Sequence, residues 1–284
     1  MKRISPFTPL FFSPSHDESG WGWHGMQLFA NTDRIFIEVI ASADDEEPTL
    51  KLHNLIEGTI VEPEWIVCNL NAETVVYYYY KNIADCGIYK FTVDGKDSNE
   101  FRVTDDEAEL SMTTLVQCAM KDNRQRTDVI TWLTGRQHYF SFRVQGGFKD
   151  DGWTFGVEDE QFVTQQEDRI SISAREYTQK VFTLGHADGV PVWFAQLLNR
   201  MLSMSFVYFD GVRYSRNDGA VPEMQQTIEG QRSYIYNVTL QEVVYNETEV
   251  DYGAGLEVRF LSSGITPRFI SGADFFSGTS IRQV

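Results

Sequence analysis

The chain has 284 residues, with 24 Lys and Arg against 41 Asp and Glu, for a net charge of −17. A field of that sign repels phosphate backbones and anionic lipid surfaces, so neither nucleic acid nor a membrane is an expected partner. Hydrophobic residues at 42% and aromatic residues at 14% give a globular composition, and the aromatic and β-branched share favours sheets over helix bundles.

The first half reads as short strands. Residues 34–40 place Ile35, Ile37 and Val39 on one face, and 75–80 form a β-branched and aromatic run. Tyr89, Phe91 and Val93 alternate with Ile88, Lys90 and Thr92 before an Asp94-Gly95 turn signal. Phe140, Phe142 and Val144 alternate with Tyr139, Ser141 and Arg143. Alternating strands split by turn residues predict a sandwich. The Gly146-Gly147 pair, Asp150-Asp151 and Gly152 then predict a loop, and with it a domain boundary.

The second half carries a predicted helix over 190–204. Pro191 suits its first turn and Asp188 its cap. Trp193, Phe194, Leu197, Leu198, Met201 and Leu202 fall on one broad apolar face. Asp210-Gly211 between 206–209 and 212–216 predicts a two-residue hairpin. Tyr234, Tyr236, Val238 and Leu240 predict a further strand, and Leu256, Val258 and Phe260 a last one. The expected fold is mainly β: two β-sandwich-like domains, residues 1–148 and 149–284, the second decorated with one α-helix.

Cys68, Cys86 and Cys118 show no CxxC spacing, and three cysteines do not make a disulfide framework. Pro6 and Pro9 break the N-terminal apolar run, so no signal peptide is expected, and no stretch approaches the ~20 apolar residues of a spanning helix. The sequons at Asn237 and Asn246 matter only in a eukaryotic secretory pathway.

Chemical motifs are sparse. There is no phosphate-cradling glycine loop, no nucleophile elbow and no HExxH. His16, His24, His53, His138 and His186 are scattered singly, a pattern of surface or core residues rather than metal ligands. The acidic runs 44–47 and 105–107 read as solvated loops rather than a catalytic carboxylate pair. No catalytic residue, metal site or cofactor is therefore expected. Trp21-Gly22-Trp23-His24-Gly25 is the most distinctive local feature. Tryptophans between glycines can form a flat platform for a sugar ring or a protein, or can plug the end of a sandwich. Trp153 beside Gly152 is a weaker instance of the same pattern.

Several segments resemble tail or baseplate-associated proteins of phages and prophages of gut anaerobes. They are Pro6-Phe7 through Trp21-Gly22-Trp23, then Met26-Gln27-Leu28-Phe29-Ala30-Asn31-Thr32-Asp33-Arg34. Phe140-Ser141-Phe142-Arg143-Val144 with Gly146-Gly147-Phe148, and Tyr208-Phe209-Asp210-Gly211-Val212-Arg213-Tyr214, carry the likeness further. The architecture is similar to that of siphophage distal tail proteins, which join a ring-forming β domain to a second β-sandwich domain. The resemblance implies a non-enzymatic structural protein of the virion, assembled in the host cytoplasm. Its partners would be copies of itself and other tail or baseplate proteins. It carries no functional residue across, since that class has no fixed active-site motif. The resemblance implies a homo-oligomer or a larger ring, while the charge makes identical chains repel, so assembly needs basic patches such as Arg124-Gln125-Arg126 to meet acidic loops such as 44–47 across subunits, or a cationic partner. The alternative is a carbohydrate-binding accessory module, with Trp21 and Trp23 as its platform and a glycan as its partner.

Overall fold

Two neighbouring runs, Ile35–Ser42 and Thr74–Lys81, set the architecture, because both are apolar at odd and even positions alike. A strand that alternates buries one face; a strand that does not must be covered on both. The computed structural model shows that cover. It describes residues 2–12, 26–163, 169–185, 189–216, 223–226 and 233–243, all within the unit Met1–Val243.

In chain order the first strands are β1 (Arg3–Ile4), β2 (Gln27–Ala30), β3 (Ile35–Ser42), β4 (Leu50–Asn54) and β5 (Thr59–Val61). There follow β6 (Ile66–Asn69), β7 (Thr74–Lys81), β8 (Gly87–Val93), β9 (Lys96–Asp97) and β10 (Phe101–Thr104). They make two sheets, β1-β3-β7-β6 and β2-β10-β8-β4-β5, with β9 paired to β8. Ile35, Ile37, Val39, Val75, Tyr77 and Tyr79 point from the first sheet toward Phe29, Phe91, Phe101 and Val103 of the second, forming one core. The opposite face of the first sheet supplies Phe36, Val76 and Tyr78 to a different core. The expected face of Ile35, Ile37 and Val39 is thus present, and the reverse face is buried as well.

That other core belongs to the elements after Thr104. A short helix α1 (Glu107–Leu110) is capped by Asp106, whose side chain accepts from Ala108 N at 2.9 Å. The acidic run 105–107 therefore starts a helix on the surface. Next come β11 (Thr113–Ala119), the small β12 (Trp132–Leu133) and β13 (Arg136–Gln137) pair, β14 (Phe140–Val163) and β15 (Arg169–Leu184). Helix α2 (Val192–Met201), β16 (Phe206–Phe209), β17 (Val212–Arg216), β18 (Glu223–Gln226) and β19 (Tyr234–Glu242) complete the described residues.

The order β15-β14-β11-β16-β17-β19, with β19 pairing back to β15, closes this sheet into an antiparallel barrel; β18 adds to β19. Closure removes the open edges that a sandwich would leave here. The buried residues of α2, namely Trp193, Phe194, Leu197, Leu198 and Met201, share a core with Phe142, Phe182 and Phe209 of the barrel strands. The helix is shorter than expected: Pro191 stands at its N-cap in an extended conformation, and Asp188 lies outside the described residues.

Both Asp-Gly turns form. Asp94 and Gly95, like Asp210 and Gly211, have positive φ, as the mirror-image turn of a two-residue hairpin requires. Asp210 also accepts from Leu115 N at 2.9 Å, which ties the β16–β17 turn to β11.

The expected loop at 146–152 is strand. β14 runs through it, and also through position 148, where the boundary between residues 1–148 and 149–284 was expected. The glycines and acids serve a β-bulge instead: between the pairs Phe148–Phe182 and Trp153–Lys180 the register shifts, four residues of β14 facing one of β15. Gly146 lies just before this bulge with φ +147°, and a Cβ there would overlap the main-chain carbonyl of Thr183. Only glycine fits that approach. The strand expected at Leu256, Val258 and Phe260 and the sequon at Asn246 lie outside the described residues.

Candidate assembly surfaces

From Trp153 onward β14 pairs with β15 alone, and β15 takes up its second partner, β19, only from Gln179. Residues 153–163 and 169–178 therefore form a two-stranded arm about 35 Å long, taking ~3.3 Å per residue. Its exposure follows from that isolation. Trp153 is 48% and Phe155 73% accessible, and Val157, Phe162, Val163 and Ile172 are also exposed.

The arm is amphipathic. Trp153, Phe155 and Val157 occupy alternate positions and share one face; Thr154, Gly156 and Glu158 share the other, with Glu158 opposite Arg175. At the base, Lys180 Nζ sits 4.1 Å from the centre of the Trp153 ring and bonds Glu242 at 2.7 Å and Tyr214 at 3.3 Å. Burial disfavours the charge on Lys180, but its bonds to Glu242 and Tyr214 outweigh that and raise its pKa. Trp153 is thus held by a cation beneath it, with Phe155 6.1 Å away, ring centre to ring centre. Toward the tip come Glu158, Asp159 and Glu160, all exposed. Asp159 accepts from Ser171 at 2.8 Å and from the Gln161 amide, which hold its carboxyl below the usual range.

A second surface lies at the N-terminal segment. Lys2, Arg3, Lys96 and Arg200 line an open cleft of about 430 Å³, floored by apolar groups such as Phe11, with Asp94 the one acid in its lining. Lys2 pairs with Asp94 at 3.0 Å. The two arginines donate instead to main-chain carbonyls: Arg3 to Thr127 at 2.7 Å and Arg200 to Pro6 at 2.5 Å. Burial lowers the Arg200 pKa; the nearby Arg126 adds to that effect and Asp128 opposes it. On a chain of net charge −17 this is a concentrated patch of the opposite sign.

Other expected features are placed as follows. Trp21 and Trp23, the candidate aromatic platform, lie outside the described residues, as do His16, His24 and His186. His53 bonds Thr92 at 2.9 Å, and His138 packs among Phe36, Tyr78 and Tyr80. Among the described residues no group of three His, Cys, Asp or Glu could hold a metal ion, and no helix is long and apolar enough to cross a membrane. Cys68, Cys86 and Cys118 are all free thiols. The loop 44–47 is largely exposed. Arg126, expected to reach across subunits, is engaged within its own molecule. It grips Asp128 with two bonds of 2.8 and 2.7 Å and lies 4.9 Å over the Phe7 ring.

The sequence singles out Trp153, which stands at the base of the arm, but neither the rest of the arm nor the cleft. The alternation of Trp153, Phe155 and Val157 was available as a signal, but nothing local says that those side chains face solvent. The cleft gathers positions 2, 3, 96 and 200, which only the fold brings together. Comparison with known proteins returns no matching family model, no matching curated protein and no matching solved structure.

Proposed function

We propose that this chain is a non-enzymatic structural protein that works by contact, as a component of a phage tail or baseplate. The observation that supports it is the β14–β15 arm. A two-stranded ribbon by itself is marginal in water, and a contiguous row of exposed aromatic and β-branched side chains marks an interaction surface. A protein built to bind a small substrate would bury such groups around a pocket. This one spends them on a projecting ribbon, while a closed barrel and a doubly covered sheet hold its base. The segments that resemble tail and baseplate proteins add the setting. The experiment is to raise antibodies against the protein and examine purified particles induced from its source by mass spectrometry and labelled electron microscopy. The reading expects the chain in tails or baseplates at a fixed number of copies per particle. Particles that lack it would overturn the reading.

A further inference from the structure

The arm and the cleft are complementary in charge and in apolar character. Midway along the described part of the arm, β14 carries Glu158, Asp159 and Glu160, with Glu158 facing Arg175 across the ladder, and with Phe155 and Val157 on one side and Phe162 and Val163 on the other. Among the described residues none of the three acids is in an ion pair. The cleft offers Lys2, Arg3, Lys96 and Arg200 over an apolar floor. Its arginines spend their bonds on carbonyl groups, which satisfy donors without cancelling charge. A negative, partly apolar projection is what such a cleft would take up. We propose that the acidic stretch Glu158–Glu160 of the β14–β15 arm of one molecule seats in the Lys2–Arg3–Lys96–Arg200 cleft of a second copy.

A second copy is the occupant because one chain carries both halves, each exposed. The chain's own charge also makes a generic encounter between copies repulsive, so contact is favoured through a patch that reverses the sign. The contact is head to tail: the arm of one molecule uses the cleft of the next and leaves its own cleft free. Repeated, such contacts close into a ring or continue as a filament. This inference rests on the assembly reading above and gives it a joint.

The test is self-association of the purified full chain by sedimentation velocity, across protein concentration, at about 0.01 M and about 1 M salt. Two variants are compared with it. The arm variant is Glu158→Gln with Asp159→Asn and Glu160→Gln, which removes its charge without reversing it; the cleft variant is Arg3→Glu with Lys96→Glu. Thermal midpoints establish that each folds, and Lys96→Glu alone, at an exposed position, serves if the double change does not.

The wild type should associate at low salt and loosen at high salt, and each variant should bind itself at least about tenfold more weakly. A mixture of the two variants should give dimers and nothing larger. The intact cleft of the arm variant takes the intact arm of the cleft variant, and the remaining halves cannot join. A wild type that stays monomeric would overturn the inference. So would variants that associate like the wild type, or a mixture that remains monomeric. Because the assembly reading is tested on native particles, wild-type association that ignores both variants would sink this joint and leave that reading standing.

Discussion

Arg143 grips Asp33 through two parallel hydrogen bonds, Nε to Oδ2 at 2.6 Å and Nη2 to Oδ1 at 3.0 Å, with side chains only 11% and 4% exposed. Asp33 follows β2 and also accepts from Ala30 N at 2.8 Å, while Arg143 lies on barrel strand β14. Beside the pair, Gln27 donates to the Arg143 carbonyl at 2.6 Å. The pair joins the strands before Thr104 to the barrel after it. Removing one partner leaves the other charge buried and alone. Arg143→Met should therefore cost about 3–5 kcal/mol in urea denaturation. Adding Asp33→Asn should recover part of that loss, since the stranded charge is gone.

Leu197 is buried on α2 among barrel and sheet side chains. Leu197→Ala should cost about 2–5 kcal/mol, read as a lowered denaturation midpoint. An unchanged midpoint would show that the core closes over the deletion or that this helix face is not packed.

Gly146 holds a φ that L side chains rarely adopt, where a Cβ would meet the carbonyl of Thr183. Gly146→Ala should destabilise by at least about 1–3 kcal/mol. Gly147→Ala, one residue on with open space around its Cβ position, should cost less. Equal effects in the two variants would mean that Gly146 has no special backbone role.

Two groups should shape stability against pH, in opposite directions. Glu38 is fully buried on β3, with Oε1 accepting from Ile130 N at 2.9 Å, and burial raises its pKa well above the carboxylate range. A raised folded pKa means that its contribution is complete below the unfolded pKa and is lost as pH rises through the folded value. Burial, then the positive Arg136 and Arg34, lower the His138 pKa to about 4 from 6.5. A lowered folded pKa means that the neutral ring's contribution is complete above 6.5 and is lost as pH falls through about 4. Glu38→Gln should stabilise by about 1–3 kcal/mol at pH 8 and by much less at pH 4. His138→Phe should flatten the fall in stability on the acid side. Denaturant titrations of both variants across pH check each slope separately.

Much of the fold was legible where the signal was local. The Asp94-Gly95 and Asp210-Gly211 turns, the alternation around Phe91 and Phe142, and the apolar face from Trp193 to Leu202 are short-range patterns, and each forms as read. The misreadings arose where one pattern serves two structures. Glycines and acids at 146–152 describe a loop and a bulge equally well, and only the partner strand decides. The sequence places Ile35, Ile37 and Val39 on one face and says nothing of Phe36 and Glu38 between them. In the fold those two meet a second layer that the local sequence does not encode. Of the candidate surfaces, the arm needed knowledge of which strands stop pairing with the barrel, and the cleft needed four distant positions brought together. Neither can be read from neighbours along the chain.

The central sheet gives the molecule one further property. β3 and β7 wall both cores, so unfolding either half strips cover from the sheet that the other half depends on. Intermediates with one core intact carry that penalty, and the strands that form the two cores should melt together in a single transition. The amides of β3 and β7 should open to solvent exchange only with that global event, while those of the arm exchange freely well below it. Force or heat applied at the arm would therefore fray the ribbon first and leave its foundation whole.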